Sequence, residues 1–283
     1  MSHYLLVDPL RHDPVIQGES RRRHVLEQLA KAVPPKVYLM GNARGAELPE
    51  ERVRLYAVNK GDELWQASQA WVASDKGRLS VCGWLESQHS LHTLGRHLDR
   101  LMIQHHPEQG RVHFRYFDQR TLHHLALILA PHQLASLLGP VRRWEYVDIN
   151  GERQVLENQG MQTRFSMEAD QWASVARLAR INLCLRGWKH NVAPEPLPLD
   201  ASLRVDHFVK MAESYGITEE VELIAFVLHG LATHERFDRH PLMAEVLRKR
   251  RHDGMSYVSL TDGFTEKEWM TISDDKTREG ITG

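Results

Sequence analysis

Histidine is the residue that first suggests chemistry in this chain. There are 18, and three close pairs stand out: His89 with His92, His105-His106 and His123-His124. Imidazole is a common metal ligand and titrates near neutrality, so such pairs invite a metal-dependent reading. A catalytic zinc site wants three protein ligands, often two from a His-Glu-x-x-His helix. No such helix is present. His89 and His92 straddle an expected helix start, and adjacent histidines on a helix diverge by about 100°. Surface and capping histidines are the expectation, with no metal ligands and no cofactor.

Other chemistries lack their required spacing. Gly41-Asn42-Ala43-Arg44-Gly45 follows an expected strand but has neither the Lys-Ser/Thr ending of a phosphate loop nor a Gly-x-Gly-x-x-Gly pattern. Asp8 closes a strand without a second acid at short spacing. No Gly-x-Ser-x-Gly elbow occurs, and Cys82 has no evident activating base. The best constellation is Arg115, Asp118 and Arg120. A guanidinium fork on a carboxylate fixes geometry well, which suits a structural corner or a partner contact. No catalytic residue is assigned.

The elements around that constellation follow from periodicity. Val112, Phe114 and Tyr116 alternate with His113, Arg115 and Phe117, predicting a strand. From Asp118 the period becomes helical, with Leu122, Leu125, Ala126 and Leu129 in register up to Pro131, and Asp118 as the N-cap. Ser90 opens an earlier helix with the stripe Leu91, Leu94, Leu98, Leu101 and Met102. A short helix from His132 to Leu138 stops at Gly139-Pro140, and Trp144 to Ile149 reads as a strand ending in the turn pair Asn150-Gly151.

These stretches also carry a resemblance. Gly83-Trp84-Leu85-Glu86-Ser87, Leu94-Gly95-Arg96-His97-Leu98, Phe114-Arg115-Tyr116-Phe117-Asp118-Gln119-Arg120 and Leu137-Leu138-Gly139-Pro140-Val141 resemble, in order, the core of the type VI secretion adaptor family, the Tap or TEC chaperones. The likeness runs from Tyr4 to about Asp148 and thins beyond. The family's central pattern is Phe-Arg-Phe-Tyr-Asp-Pro-Arg. Here the aromatic pair is inverted and Gln119 replaces the proline. Proline at a first helical position mainly pre-sets φ, so restoring it at 119 is expected to be neutral or stabilising. The resemblance implies Arg115, Tyr116, Asp118, Arg120, Gly139 and Pro140 as family-motif residues, structural or in partner contact.

Elsewhere, short strands are expected at Tyr4 to Val7, Val37 to Met40, Leu55 to Val58 and Leu79 to Trp84. Helices are expected through Leu26 to Val33, behind Arg21-Arg22-Arg23, and after Asp62 with Leu64, Trp65, Ser68, Trp71 and Val72. Alternating strands and helices predict an α/β domain over residues 1–150, a mixed sheet with covering helices. From Gly151 the pattern is helical. One helix is capped by Asp170 and broken at Gly187, one is stopped by Gly216, one is capped by Thr218 and one starts at Pro241. Residues 151–251 are read as an all-helical lobe, and 252–283 as a polar tail, either a hairpin or partly disordered. Trp188 and Trp269, at element ends, are surface-anchor candidates.

With 42% hydrophobic and 26% charged residues and a formal net charge of −1 over 283 residues, the composition is that of a soluble protein without a global pull towards nucleic acid or membrane. Cys82 and Cys184 form no Cys-x-x-Cys pair, no signal peptide or membrane span is evident, and a cytoplasmic location is expected. The resemblance implies a non-enzymatic adaptor that binds a cognate toxic effector and helps load it onto the VgrG spike. The alternative from another class is a histidine-using metal-dependent hydrolase.

Overall fold

The structure, a computed structural model, describes residues 1–9, 36–41, 52–73, 80–160, 164–192 and 194–274. The expected helix over Leu26 to Val33, the Arg21-Arg22-Arg23 cluster and nearly all of the glycine-bearing loop after Met40 lie outside the described residues. The chain divides into two compact units, Met1–Trp172 and Ala173–Gly283.

The first unit is built on a six-stranded sheet: β1 (Ser2–Val7), β2 (Val37–Leu39), β3 (Arg54–Val58), β4 (Val81–Ser87), β7 (Arg143–Val147) and β8 (Arg153–Glu157). Its order is β2-β3-β1-β4-β7-β8 and every pairing is antiparallel. The expected mixed sheet is therefore corrected. Helix α1 (Glu63–Ala73) does join two parallel strands, β3 and β4, but β1 lies between them and pairs antiparallel with both.

Strand alternation sends side chains to two covered faces. Leu5, Val7, Tyr56, Val58, Trp84 and Val147 pack with Leu64 and Trp71 of α1. Tyr4, Leu6, Leu55, Leu85, Trp144 and Tyr146, of the opposite parity, are also buried. That second face meets helix α2 (Leu91–Leu101) and, through His123 against Tyr146, helix α3 (Gln119–Ile128), which is followed by α4 (Pro131–Leu138). Ser90 caps α2 as expected, accepting from the Thr93 amide.

The stretch 110–117 behaves differently from its sequence pattern. Only β6 (Gly110–His113) is strand, and it pairs with β5 (Ile103–His106) in a separate two-stranded sheet. Phe114 adds one bond to the Met102 carbonyl, 2.8 Å, and the chain then turns, with the Asp118 amide on the Arg115 carbonyl. Phe114, Tyr116 and Phe117 are all buried. A half-buried strand exposes alternate residues, so burial of both parities there requires the turn.

The expected division at residue 150 moves as well. Beyond the Asn150-Gly151 turn, β8 returns alongside β7 and completes the sheet. The second unit is helical: α6 (Leu178–Val192), α7 (Ala201–Ser214), α8 (Glu220–Ala232), α9 (Pro241–Asp253), α10 (Tyr257–Thr261) and α11 (Glu266–Asp274), with α5 (Ala169–Ala176) running across the division. The break expected at Gly187 falls instead at Arg177, whose guanidinium donates to Asp206 at 2.6 and 3.1 Å. Glu219, not Thr218, caps α8, accepting from the Glu222 amide. Phe208, Phe226, Phe237 and Tyr257 form an aromatic core, with Phe226 and Phe237 ring centres 4.9 Å apart. The tail from 252 is corrected from hairpin to helix: Tyr257 anchors α10 at full burial, and Ile272 does so for α11. Residues 275–283 lie outside the described residues.

Candidate functional site

The motif residues assemble a corner of the first unit. Asp118 is the N-cap of α3, its carboxylate accepting from the Arg120 amide at 2.9 Å and from the Arg120 guanidinium at 3.4 and 3.5 Å. Such a cap stabilises by about 1 kcal/mol. Arg115 reaches back across the fold to Asp8, the residue after β1, which is only 1% exposed. Its guanidinium also lies over the Phe117 ring, 5.2 Å from the centre. The Gln119 side-chain amide donates to the Val81 carbonyl on β4. Tyr116 is fully buried, stands edge-on to Trp144 and donates its hydroxyl proton to the Leu98 carbonyl at 2.7 Å. Burial, with Asp99 and Cys82 nearby, raises that phenol well above its ordinary value, so it stays a donor.

Gly139 and Pro140 form a second corner. Gly139 has φ +54°, and a Cβ there would lie 2.2 Å from the His97 ring, so glycine is required twice over. His97 donates from Nε2 to the Leu137 carbonyl at 3.0 Å. Burial lowers the ring's pKa, partly offset by that bond. The Asn158 amide donates to the Gly139 carbonyl, and Ser87 donates to that of Pro140, both at 2.7 Å. This corner also lines a shallow depression of about 340 Å³ with Gln88, His89 and Arg142.

The first unit also carries a larger, open groove of about 1000 Å³, which His97 borders. Its floor is apolar, from Leu101, Phe165, Met167 and Trp172. Its polar lining includes Arg100, Arg111 and Arg164 with His97 and His105, and no carboxylate among the described residues. Phe165 stacks on Phe114 with planes 11° apart, and Trp172 packs against Phe114 and His106 at 5.6 and 5.2 Å. Sequence inspection missed this groove. Its basic residues come from a helix, a strand and an extended segment, each isolated in its own local pattern.

The histidine pairs do not converge. His123 meets the Tyr146 hydroxyl at 3.1 Å while His124 is fully buried. His106 accepts from the amides of Glu108 and Gln109, and His105 is exposed. Among the described residues no group of His, Cys, Asp or Glu is arranged to hold a metal. Both cysteines are buried thiols outside any disulfide, Cys184 pushed up by burial to about 12. Trp188 is half-buried. Trp269, expected as a surface anchor, is also half-buried and packs on His229 and Phe264 at 4.2 and 5.2 Å. No helix among the described residues is long and apolar enough to cross a membrane.

Comparison with known families adds one finding. Residues 3–136, all within the first unit, match the model of a domain of unknown function (DUF4123). No curated protein and no solved structure matches the chain.

Proposed function

We propose that this chain is a non-catalytic adaptor of a type VI secretion system, binding a cognate toxic effector in the cytoplasm and helping to load it onto the VgrG spike. The observation that carries this reading is the use of the motif side chains. Asp118, Tyr116 and Gln119 direct their polar groups to backbone partners inside the fold, and Arg115 directs its own to Asp8. Residues used in this way build a scaffold. Phe114 of the same motif packs against Phe165 and Trp172, the floor of the groove, which in this reading serves as the recognition surface. The four sequence blocks, three of them inside the matched residues 3–136, support the choice of adaptor over other binding proteins. Partners are then protein, with no role for nucleic acid, membrane or cofactor.

Co-expression with the effector encoded beside it tests the proposal. A complex that co-elutes in size-exclusion chromatography, persists in EDTA and raises the yield of folded effector is the expected result, since binding only the folded form stabilises by mass action. Capture of neither effector nor spike at micromolar concentration sinks the adaptor. Stoichiometric zinc held through histidines, with metal-dependent hydrolysis, would return the hydrolase reading.

A further inference from the structure

We infer that the groove of the first unit receives an extended acidic segment of the bound protein, added as a strand beside β5. The inference rests on the adaptor reading and names the chemistry of its partner at one site. Three consecutive residues of β5, 103–105, line the groove. A strand's face presents alternate residues and its edge successive ones, so β5 gives its edge to the groove, while Arg111, the β6 register partner of His105, reaches it from the adjoining face. That edge is open to a further strand, because β6 is the strand neighbour of β5 among the described residues. The other wall is residues 164–167, four in succession and again without helix. Residues 164–167 alternate exposed and buried, as the residues of an extended segment do, so this wall and the edge of β5 leave a slot for an extended chain, which strand addition fills with main-chain hydrogen bonds.

Charge sets the occupant. Arg100, Arg111 and Arg164 all line the slot, and each is exposed. Among the described residues Arg111 and Arg164 have no carboxylate partner, and Arg100 donates from Nε to the Arg96 carbonyl and to no carboxylate. The floor is apolar, with Phe165 and Trp172 only 9% and 6% exposed. Phe165 stacks on Phe114, and Trp172 packs on Phe114 and His106, so these little-exposed rings give an apolar side chain an edge to rest against and a nucleobase little face to stack on. A peptide alternating carboxylates with apolar residues satisfies both layers. Its apolar side chains go down to the floor and its carboxylates out to the arginines.

The test uses the full chain, a labelled peptide alternating aspartate and glutamate with leucine and phenylalanine, and two controls: the same peptide with lysine for every acid, and oligothymidylate. Fluorescence anisotropy should give a Kd for the acidic peptide of roughly 1–100 µM, rising with salt. The lysine peptide should not bind. The R111E/R164E variant, altered at two exposed side chains, should keep its melting temperature and raise the Kd at least about tenfold. No binding of the acidic peptide, a Kd unchanged in the variant, or tighter binding of oligothymidylate overturns the inference. The neighbouring effector separates the two levels of the argument. Its capture by wild type and variant alike overturns the groove and leaves the adaptor standing. Peptide binding lost on charge reversal, with no effector or spike captured by wild type, does the converse.

Discussion

Asp118 and Gln119 are neighbours with different duties. The Asp118 carboxylate serves its own helix, holding the Arg120 amide. The Gln119 side chain serves the sheet, donating to the Val81 carbonyl from a site only 3% exposed. Proline at 119 would suit the helix start but would delete that donor. The entropic gain is about 0.4–1 kcal/mol, whereas an unsatisfied buried acceptor and the space left by the side chain cost more, about 1–3 kcal/mol for the acceptor alone. The expectation from sequence is thus reversed: Gln119→Pro should destabilise by about 1–2 kcal/mol. Urea denaturation of the variant checks this, and an unchanged midpoint would mean that Val81 finds another donor.

At the scale of elements, helix α2 is held against the sheet by the absence of a side chain. Gly95 sits mid-helix, where alanine would be favoured by about 1 kcal/mol. Yet a Cβ at 95 would lie 2.4 Å from Cγ of Tyr38 on β2. That atom is at the root of the ring, so the tyrosine cannot swing only its tip away, and its ring is further fixed against His92 at 5.7 Å. Overpacking of this kind costs about 1–3 kcal/mol, enough to outweigh the propensity gain. Gly95→Ala should therefore lower the melting temperature. The double variant G95A/Y38A should recover part of the loss, and no recovery would place the strain elsewhere.

At the scale of the whole molecule, each unit has a half-buried histidine whose pKa is lowered. His97 in the first is lowered by burial, and His229 in the second is lowered by burial to about 4, its Nδ1 2.8 Å from the Tyr257 hydroxyl. The unfolded chain has the ordinary histidine value of 6.5 and so binds more protons than the folded one between 6.5 and 4. Stability contributed by His229 is complete above 6.5 and is lost as pH falls through about 4. His229→Gln, which keeps an acceptor for Tyr257, should flatten the dependence of unfolding free energy on pH in that window. Denaturation curves across the pH series measure it, and equal slopes in variant and wild type would show that His229 stays accessible to protons.

Sequence alone determined what depends on neighbours along the chain. The caps at Ser90 and Asp118, the stops at Gly139 and Gly216, the turn at Asn150-Gly151 and the change from α/β to helical grammar are all local hydrogen bonds, φ preferences or periodicities, and each is legible in a short window. Tertiary structure decided what depends on distance. Arg115 finds Asp8 across 107 residues, β1 inserts between β3 and β4, and β8 extends the sheet past the expected boundary. The groove is the strongest case. Arg100, Arg111, Arg164 and Trp172 share no window and no period, and they meet only because α2, the β5–β6 pair and the segment before α5 close on one another. A charge pattern distributed over three elements leaves no local signal, since long-range packing alone brings its members within interaction distance.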